Sequence, residues 1–193
     1  MSNFQDKVVL ITGAGKGTGR RAAELFAAQG AVVAAADVTP INLDETVTRI
    51  TAAGGRVKAY VADIAKKLPI QGLLNQVLDD LGQIDILVNC AEVEPQKTIL
   101  EMDEWEWVRT LDVNLTGAFL LTQSAGRIMK EKNSGIIVHT GGRAKGPGKR
   151  AAYSASKAAL ETMVKIAAEE FSAFGIRVCL VNSAEEIMEV CRE

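Results

Sequence analysis

The chain has 193 residues, a size at which one domain is the default and roughly 70% of the unfolded surface is buried on folding. It is 48% hydrophobic and 24% charged, ordinary for a globular protein, and only four prolines argue against disorder. A net charge of −2 gives no bulk attraction to nucleic acid or to an anionic membrane, and no apolar run approaches the ~20 residues that cross a bilayer.

Apolar runs of strand length alternate with longer segments of helical period. Lys7–Thr12 is a short β-branched run and reads as a buried strand. Gly17–Gln29 carries Ala22, Leu25 and Phe26 at helical spacing, and Gly30 closes it. Ala31–Asp37 is the second strand, Leu43–Ala53 a helix stopped by Gly54-Gly55, and Arg56–Ala62 the third strand, ending at Asp63. Ile70–Leu81 is a helix closed by Gly82, and Ile84–Asn89 the fourth strand. Asp103–Glu131 reads as one long helix with Gly117 as the place for a kink, ending before Asn133-Ser134-Gly135. Ile136–Thr140 is the fifth strand, Ala151–Phe174 a long helix before Gly175, and Ile176–Val181 the sixth strand. Ser183, with Glu186 three residues on, predicts a capping box opening a terminal helix.

Strict β/α alternation with fully apolar strands implies a parallel sheet covered on both faces, joined by right-handed crossovers. The expected fold class is α/β, a doubly wound parallel sheet of the Rossmann kind, about six strands flanked by helices on both faces. Residues 1–193 are read as one dinucleotide-binding domain. Cys90, Cys179 and Cys191 are odd in number and have no metal-type spacing. Cys90 and Cys179 lie in apolar, strand-like runs, so the expectation is reduced thiols in a cytoplasmic protein. The polar stretch Met1–Lys7 leads straight into a strand and does not read as a signal peptide.

The first strand runs into Thr12-Gly13-Ala14-Gly15-Lys16-Gly17-Thr18-Gly19, and a helix follows. Glycines allow a sharp turn and a close backbone approach, and the exposed N–H groups of the helix mouth favour a diphosphate. Asp37 closes the second strand eighteen residues after Gly19, where a carboxylate accepts both hydroxyls of an adenosine ribose. The strand before, the helix after and this acid make the loop a dinucleotide signature rather than a glycine-rich turn. Further along, Tyr153 and Lys157 stand four apart on a helix and share a face. A lysine cation within ~4–6 Å of a phenol lowers its pKa and makes the phenolate accessible.

Together these residues resemble the short-chain dehydrogenase/reductase family. The glycine loop is Thr12–Gly19, the acid Asp37, and the pair beside the adenine ring Asp63-Ile64. Asn89-Cys90-Ala91-Glu92 stands for the family's Asn-Asn-Ala-Gly, and the helix asparagine is Asn114 within Asp112–Gly117. Tyr153-Ser154-Ala155-Ser156-Lys157 stands for its catalytic stretch, and order and spacing match as far as about Val181. The resemblance implies cofactor contacts from Gly13, Gly15, Lys16, Gly17, Thr18 and Gly19, and from Asp37, Asp63, Ile64, Asn89, Ala91, Tyr153 and Lys157. It implies catalysis by three residues. Tyr153 moves the proton, Lys157 lowers its pKa and holds the nicotinamide ribose, and Asn114 anchors a water in the relay. Hydride passes directly to the substrate carbon, with no metal. Lys16 favours the 2′-phosphate of NADP, but Asp37 lies closer to the discriminating atom and repels it, so NAD is expected over NADP.

The chain departs from the family at one end. The serine at the end of strand five is Gly142 when aligned by the strand and Thr140 when counted back from Tyr153; the strand alignment fits better. Losing that donor costs on the order of 10²–10³ in rate, by analogy with oxyanion-site mutants. Glu92 replaces a glycine, where a carboxylate repels pyrophosphate or obstructs the nicotinamide half. Ser183-Ala184 replaces a Pro-Gly, and no counterpart of the carboxamide-binding threonine precedes Glu193. The usual covering helix pair and seventh strand are not in the sequence, which reads as a short member of the family.

His139, the only histidine, reads as a hydrogen-bonded strand-end residue in the place of the family's usual asparagine. Arg143, Lys145, Lys149 and Arg150 read as a solvated basic cluster, and Trp105, Trp107 and Met102 as core or subunit-contact packing. The expected function is an NAD(P)-dependent oxidoreductase interconverting a secondary alcohol and a ketone. The alternative is a catalytically silent dinucleotide-binding protein acting through self-association or a partner. The expected partners are a small carbonyl or alcohol substrate and a second copy of the chain, docked through Asp103–Glu131 and Ala151–Phe174, with no nucleic acid and no membrane.

Overall fold

All five residues of the first strand, β1 (Val8–Thr12), are buried, as a central strand covered on both faces requires. A computed structural model describes residues 4–142 and 148–192. After β1 come α1 (Gly17–Ala28), β2 (Val32–Asp37), α2 (Pro40–Ala52), β3 (Arg56–Val61), α3 (Lys67–Leu81) and β4 (Ile86–Asn89). Then follow α4 (Glu104–Leu111), a widened π-helical segment (Asp112–Gly117), α5 (Ala118–Lys132), β5 (Gly135–Thr140), α6 (Ala151–Ser172), β6 (Ile176–Val181) and α7 (Ala184–Val190). The six strands form one parallel sheet in the order β3-β2-β1-β4-β5-β6. The order reverses between β1 and β4, and their carboxyl ends open the crevice where such sheets bind ligands.

Period-two alternation sends neighbouring residues of each strand into two separate cores. Leu10, Leu87 and Ile137 pack with α3, α5 and α6, whereas Val9, Ile11 and Val88 pack with α1, α2 and α7. Each such side chain contributes roughly 1.5–3 kcal/mol by leaving water. The edge strand β3 buries only Tyr60, whose hydroxyl donates to Asp80 at 3.0 Å. Edge strands face water on one side, which accounts for the charged Arg56 and Lys58 in it.

Several boundaries differ from those read in the sequence. Helices α2 and α3 begin three residues earlier than expected, at Pro40 and Lys67. Their first turns are polar or proline-led, so hydrophobic periodicity does not register them. The expected long helix is interrupted by the π-helical segment rather than kinked at one glycine. A Cβ on Gly117 would collide with the Ile64 carbonyl, so the bare backbone lets this helix lie on the loop after β3. Ahead of it, Asp103 and Glu106 form a reciprocal capping box at α4. At α7 the predicted box is only half made. Ser183 accepts from the Glu186 amide at 3.1 Å, but the Glu186 carboxylate accepts from Asn182.

A polar thread crosses the sheet beneath the crevice. Thr122 Oγ1 donates to the Ala118 carbonyl at 2.8 Å, so it accepts from His139 Nε2 at 2.8 Å. His139 Nδ1 then accepts from the Asn89 amide at 3.2 Å, and Asn89 Oδ1 accepts from Thr12 Oγ1 at 2.6 Å. The network assigns a neutral imidazole with its proton on Nε2. Burial first, and the Lys157 cation second, push the His139 pKa from 6.5 down to about 3. The unfolded chain takes up this proton near 6.5 and the folded chain does not. The stabilisation is therefore complete above that pH and is lost on the way down to about 3. Its expected slope is about 1.4 kcal/mol per pH unit. His139→Asn is expected to remove that component, measured as the pH dependence of urea unfolding between about pH 6 and 4.5. An identical slope in the variant would contradict this assignment.

Candidate active site

A cavity of about 650 Å³ opens at the carboxyl ends of β1, β2, β4 and β5. That volume is in the range of small-molecule and cofactor sites. Gly13, Lys16, Gly17, Thr18 and Asp37 line one end, Asp63, Ile64 and Ala91 the middle, and Glu92, Thr140 and Tyr153 the other end. Of the expected catalytic and cofactor-binding residues, Gly15, Asn89, Asn114 and Lys157 do not line it.

The glycine loop is packed to the limit. Gly13 sits at φ +66°, and a Cβ there would stand 2.6 Å from the Ala91 amide nitrogen. A Cβ on Gly19 would collide with the Gly13 carbonyl, so helix and turn touch through bare backbone. No side chain caps α1 at Lys16, which leaves the first N–H groups of the helix for an acceptor in the cavity. Asp37 braces the loop from the side. Its Oδ2 accepts from the Gly15 amide at 2.9 Å and its Oδ1 from the Thr39 amide at 3.0 Å. Each carboxylate oxygen keeps a lone pair toward the cavity. Arg20 Nη2 donates to the Gly15 carbonyl and Arg20 Nη1 pairs with Glu45 at 2.8 Å, contacts the sequence did not announce.

Asp63 is held in the wall by Arg109 of α4, with Nη1 to Oδ2 at 3.1 Å and Nη2 to Oδ1 at 3.3 Å. Burial pushes its carboxyl up, but the guanidinium and the Ala65 amide outweigh it and leave the pKa below the usual carboxylate value. The partners lie 46 residues apart, and no local pattern links them.

Two expected site residues make their side-chain hydrogen bonds within the fold. Asn89 is committed to Thr12 and His139 and holds the sheet beneath the cavity. Asn114, placed inward by the π-helical turn, accepts from the Val93 amide and donates to the Val93 carbonyl, both at 2.9 Å. It also donates to Ser156 Oγ at 3.1 Å. Its amide is thus spent on fastening the segment after β4 to α6.

At the far end, Tyr153 and Lys157 lie on one face of α6, with Lys157 Nζ 5.5 Å from the Tyr153 ring centre. Between their polar ends stands Glu92. Its Oε2 accepts from Tyr153 Oη at 3.1 Å and pairs with Lys157 Nζ at 2.8 Å, while Lys157 also donates to the Thr140 carbonyl at 2.9 Å. The expectation that lysine lowers the phenol pKa fails here. Burial first, then the charge and hydrogen bond of Glu92, push Tyr153 up to about 12, against a smaller lowering from Arg150. The lysine charge is spent on the carboxylate that stabilises the neutral phenol. The sequence flagged Glu92 as a departure, but not the residues it grips. A Cβ on Gly142 would stand 2.6 Å from Tyr153 Oη, whereas the Thr140 hydroxyl is turned away to the Asn89 carbonyl at 3.3 Å.

Trp105 is 72% exposed and Trp107 and Val108 are also exposed, which excludes core packing for both tryptophans. Arg150 is paired with Glu94 rather than solvated; Arg143 and Lys145 lie outside the described residues. Cys90 and Cys191 are buried and Cys179 half-buried, all three as free thiols. No described helix is long and apolar enough to cross a membrane, and no metal-type cluster of side chains occurs among the described residues.

A parallel sheet in this strand order, with a glycine turn and a helix mouth facing the switch point, defines a Rossmann-class α/β protein. Residues 7–185 match the family described as short chain dehydrogenase, and the chain belongs to that family. It is 40% identical over 178 residues to an uncharacterized oxidoreductase of Thermotoga maritima, covering 91% of this chain and 70% of that one. Among solved structures, it resembles NAD+-bound xylitol dehydrogenase with a TM-score of 0.88 at 31% identity, over 93% of this chain and 70% of that one. It also resembles a metagenomic short-chain oxidoreductase in complex with NADP, with a TM-score of 0.94 at 28% identity, over 100% and 93% of the two chains.

Proposed function

We propose that this chain is an oxidoreductase that uses a nicotinamide dinucleotide, NAD in preference to NADP, to interconvert a secondary alcohol and a ketone. The observation that carries the reading is the single cavity joining an uncapped helix mouth and Asp37 at one end to Tyr153 at the other. The cradle fits an adenosine diphosphate group. Bare backbone at Gly13 and Gly19 allows close approach, free N–H groups meet the phosphates, and Asp37 faces the sugar. When bound, the dinucleotide supplies or accepts the hydride.

The chain's own residues supply orientation and the proton. Tyr153, neutral at physiological pH, carries the proton that a general acid would give to a carbonyl oxygen once Glu92 is displaced, the role required for reduction. Lys157, fixed by the Thr140 carbonyl, brings a positive charge to the place where an alkoxide develops. Alcohol oxidation runs the same proton transfer in reverse, with the phenolate as acceptor, a form that burial and Glu92 disfavour.

Calorimetry with NADH and NADPH tests the cofactor reading. The unmodified protein is expected to bind NADH at least about tenfold more tightly, and Asp37→Asn to narrow that ratio by about tenfold by removing the like charge. Tighter binding of NADPH by the unmodified protein would overturn the NAD preference.

A further inference from the structure

We propose that Glu92 is a specificity-determining residue of this site. Its carboxylate bridges Tyr153 and Lys157, and it must be displaced before the Tyr153 hydroxyl can donate to a ligand and before the Lys157 charge is free of its ion pair. It therefore penalises the nicotinamide riboside half of a dinucleotide and leaves the adenosine diphosphate half untouched.

The argument is one of hydrogen-bond capacity, and it rests on the dinucleotide reading above. A phenol has one proton to give, and that of Tyr153 goes to Glu92 Oε2 at 3.1 Å. The same oxygen lies 2.8 Å from Lys157 Nζ, whose other recorded bond runs to the Thr140 carbonyl. A sugar hydroxyl seeking Lys157 and a carbonyl oxygen seeking Tyr153 would both compete with one carboxylate oxygen. Neither Gly142 nor Thr140 offers a hydroxyl to relieve that competition. Tyr153 fills the space beside Gly142, and Thr140 donates to Asn89.

Glu92 can leave. Its side chain is 38% exposed, whereas that of Lys157 is 8% exposed, so displacement moves the carboxylate into water and leaves the lysine in place. Among the described residues, the other charged or titratable groups around the clamp are Arg150, 5.6 Å from the Tyr153 ring centre, the buried Cys90 thiol, and neutral His139 beyond Lys157. None of them takes the proton that Tyr153 gives to Glu92. The adenosine end is built from α1, β2 and the loop after β3, and no contact of Glu92 reaches it.

Two measurements test this. In the first, calorimetry compares ADP and NADH on the unmodified protein, Glu92→Gly and Glu92→Gln. Glu92→Gly is expected to bind NADH about tenfold more tightly, with ADP affinity unchanged, and Glu92→Gln to gain less because an amide oxygen still accepts. Normal ADP binding with an NADH affinity that ignores both substitutions overturns this inference alone. Absence of binding of both ligands to the unmodified protein overturns the dinucleotide reading and this inference together. The second measurement needs no ligand. The chain has two tyrosines, so in a Tyr60→Phe background the tyrosinate absorbance reports Tyr153. Both Glu92 variants are expected to ionise at lower pH, by about one unit or more, with circular dichroism confirming the fold. Titration curves that superimpose on that of the Glu92 protein overturn the clamp.

Discussion

Tyr153→Phe is expected to lower the rate of carbonyl reduction by about 10³-fold, within the 10²–10⁴ typical of a lost general acid. The ring is nearly fully buried and phenylalanine keeps its volume, so folding should change little. The loss should fall on kcat and kcat/KM together, as for a group that acts only in the transition state. Because Tyr153 is held neutral to about pH 12, reduction by the unmodified protein should show no loss from this group between pH 6 and 9. Steady-state kinetics over a panel of ketones checks both statements. Turnover in Tyr153→Phe equal to that of the unmodified protein would remove Tyr153 as the proton donor. Intact NADH binding without turnover in either protein would instead favour a silent dinucleotide-binding role.

Gly13→Ala is expected to be strongly destabilising and to weaken dinucleotide binding. The residue sits at φ +66°, where an L side chain is strained by about 1–2 kcal/mol. Its Cβ would also press on the Ala91 backbone at 2.6 Å and 2.7 Å. Neither side can yield cheaply. The Cys90 amide donates to the Thr12 carbonyl at 3.0 Å and the Ala14 amide to the Ala36 carbonyl at 3.0 Å, so both flanks of the turn are tied into the sheet. A loss of about 3–4 kcal/mol follows, or a fall in Tm of roughly 6–16 °C for a domain of this size. Dinucleotide affinity should fall by more than about tenfold as the helix mouth shifts. Gly17→Ala is the control. It too lies at positive φ, +55°, but an added Cβ would have no atom within 4 Å, so only the backbone strain of about 1 kcal/mol remains. Equal melting temperatures for the two variants would refute the role of the close contact.

Much of the architecture was legible because it is written in short-range pattern. β-branched runs separated by helical periods predict alternating β and α units, and apolar strands predict burial on both faces. The glycine loop and Asp37 were legible for the same reason, since the strand, turn and helix are contiguous and the acid ends the next strand. Less was legible where partners meet through the sheet. The side chain of Asn89 is tied to His139, fifty residues away, a bond that no local pattern announces. The pairing of Asp63 with Arg109 had no signal at all, because nothing local distinguishes Arg109 from any other helix-surface cation. Helix starts at Pro40 and Lys67 were missed because first turns need not be apolar.

The sequence by itself determined the α/β class, the nucleotide-binding turn and the one helix face that carries Tyr153 and Lys157, since local periodicity and backbone sterics suffice for these. Only the tertiary structure decided the electrostatic state of that face. Placing β4 between β1 and β5 brings Glu92 against Tyr153, 61 positions away, and burial of the ring together with this carboxylate reverses the expected sign of the tyrosine's pKa shift. Charge–charge interactions depend on distance and burial, not on separation along the chain, so this reversal exists only once the sheet is assembled.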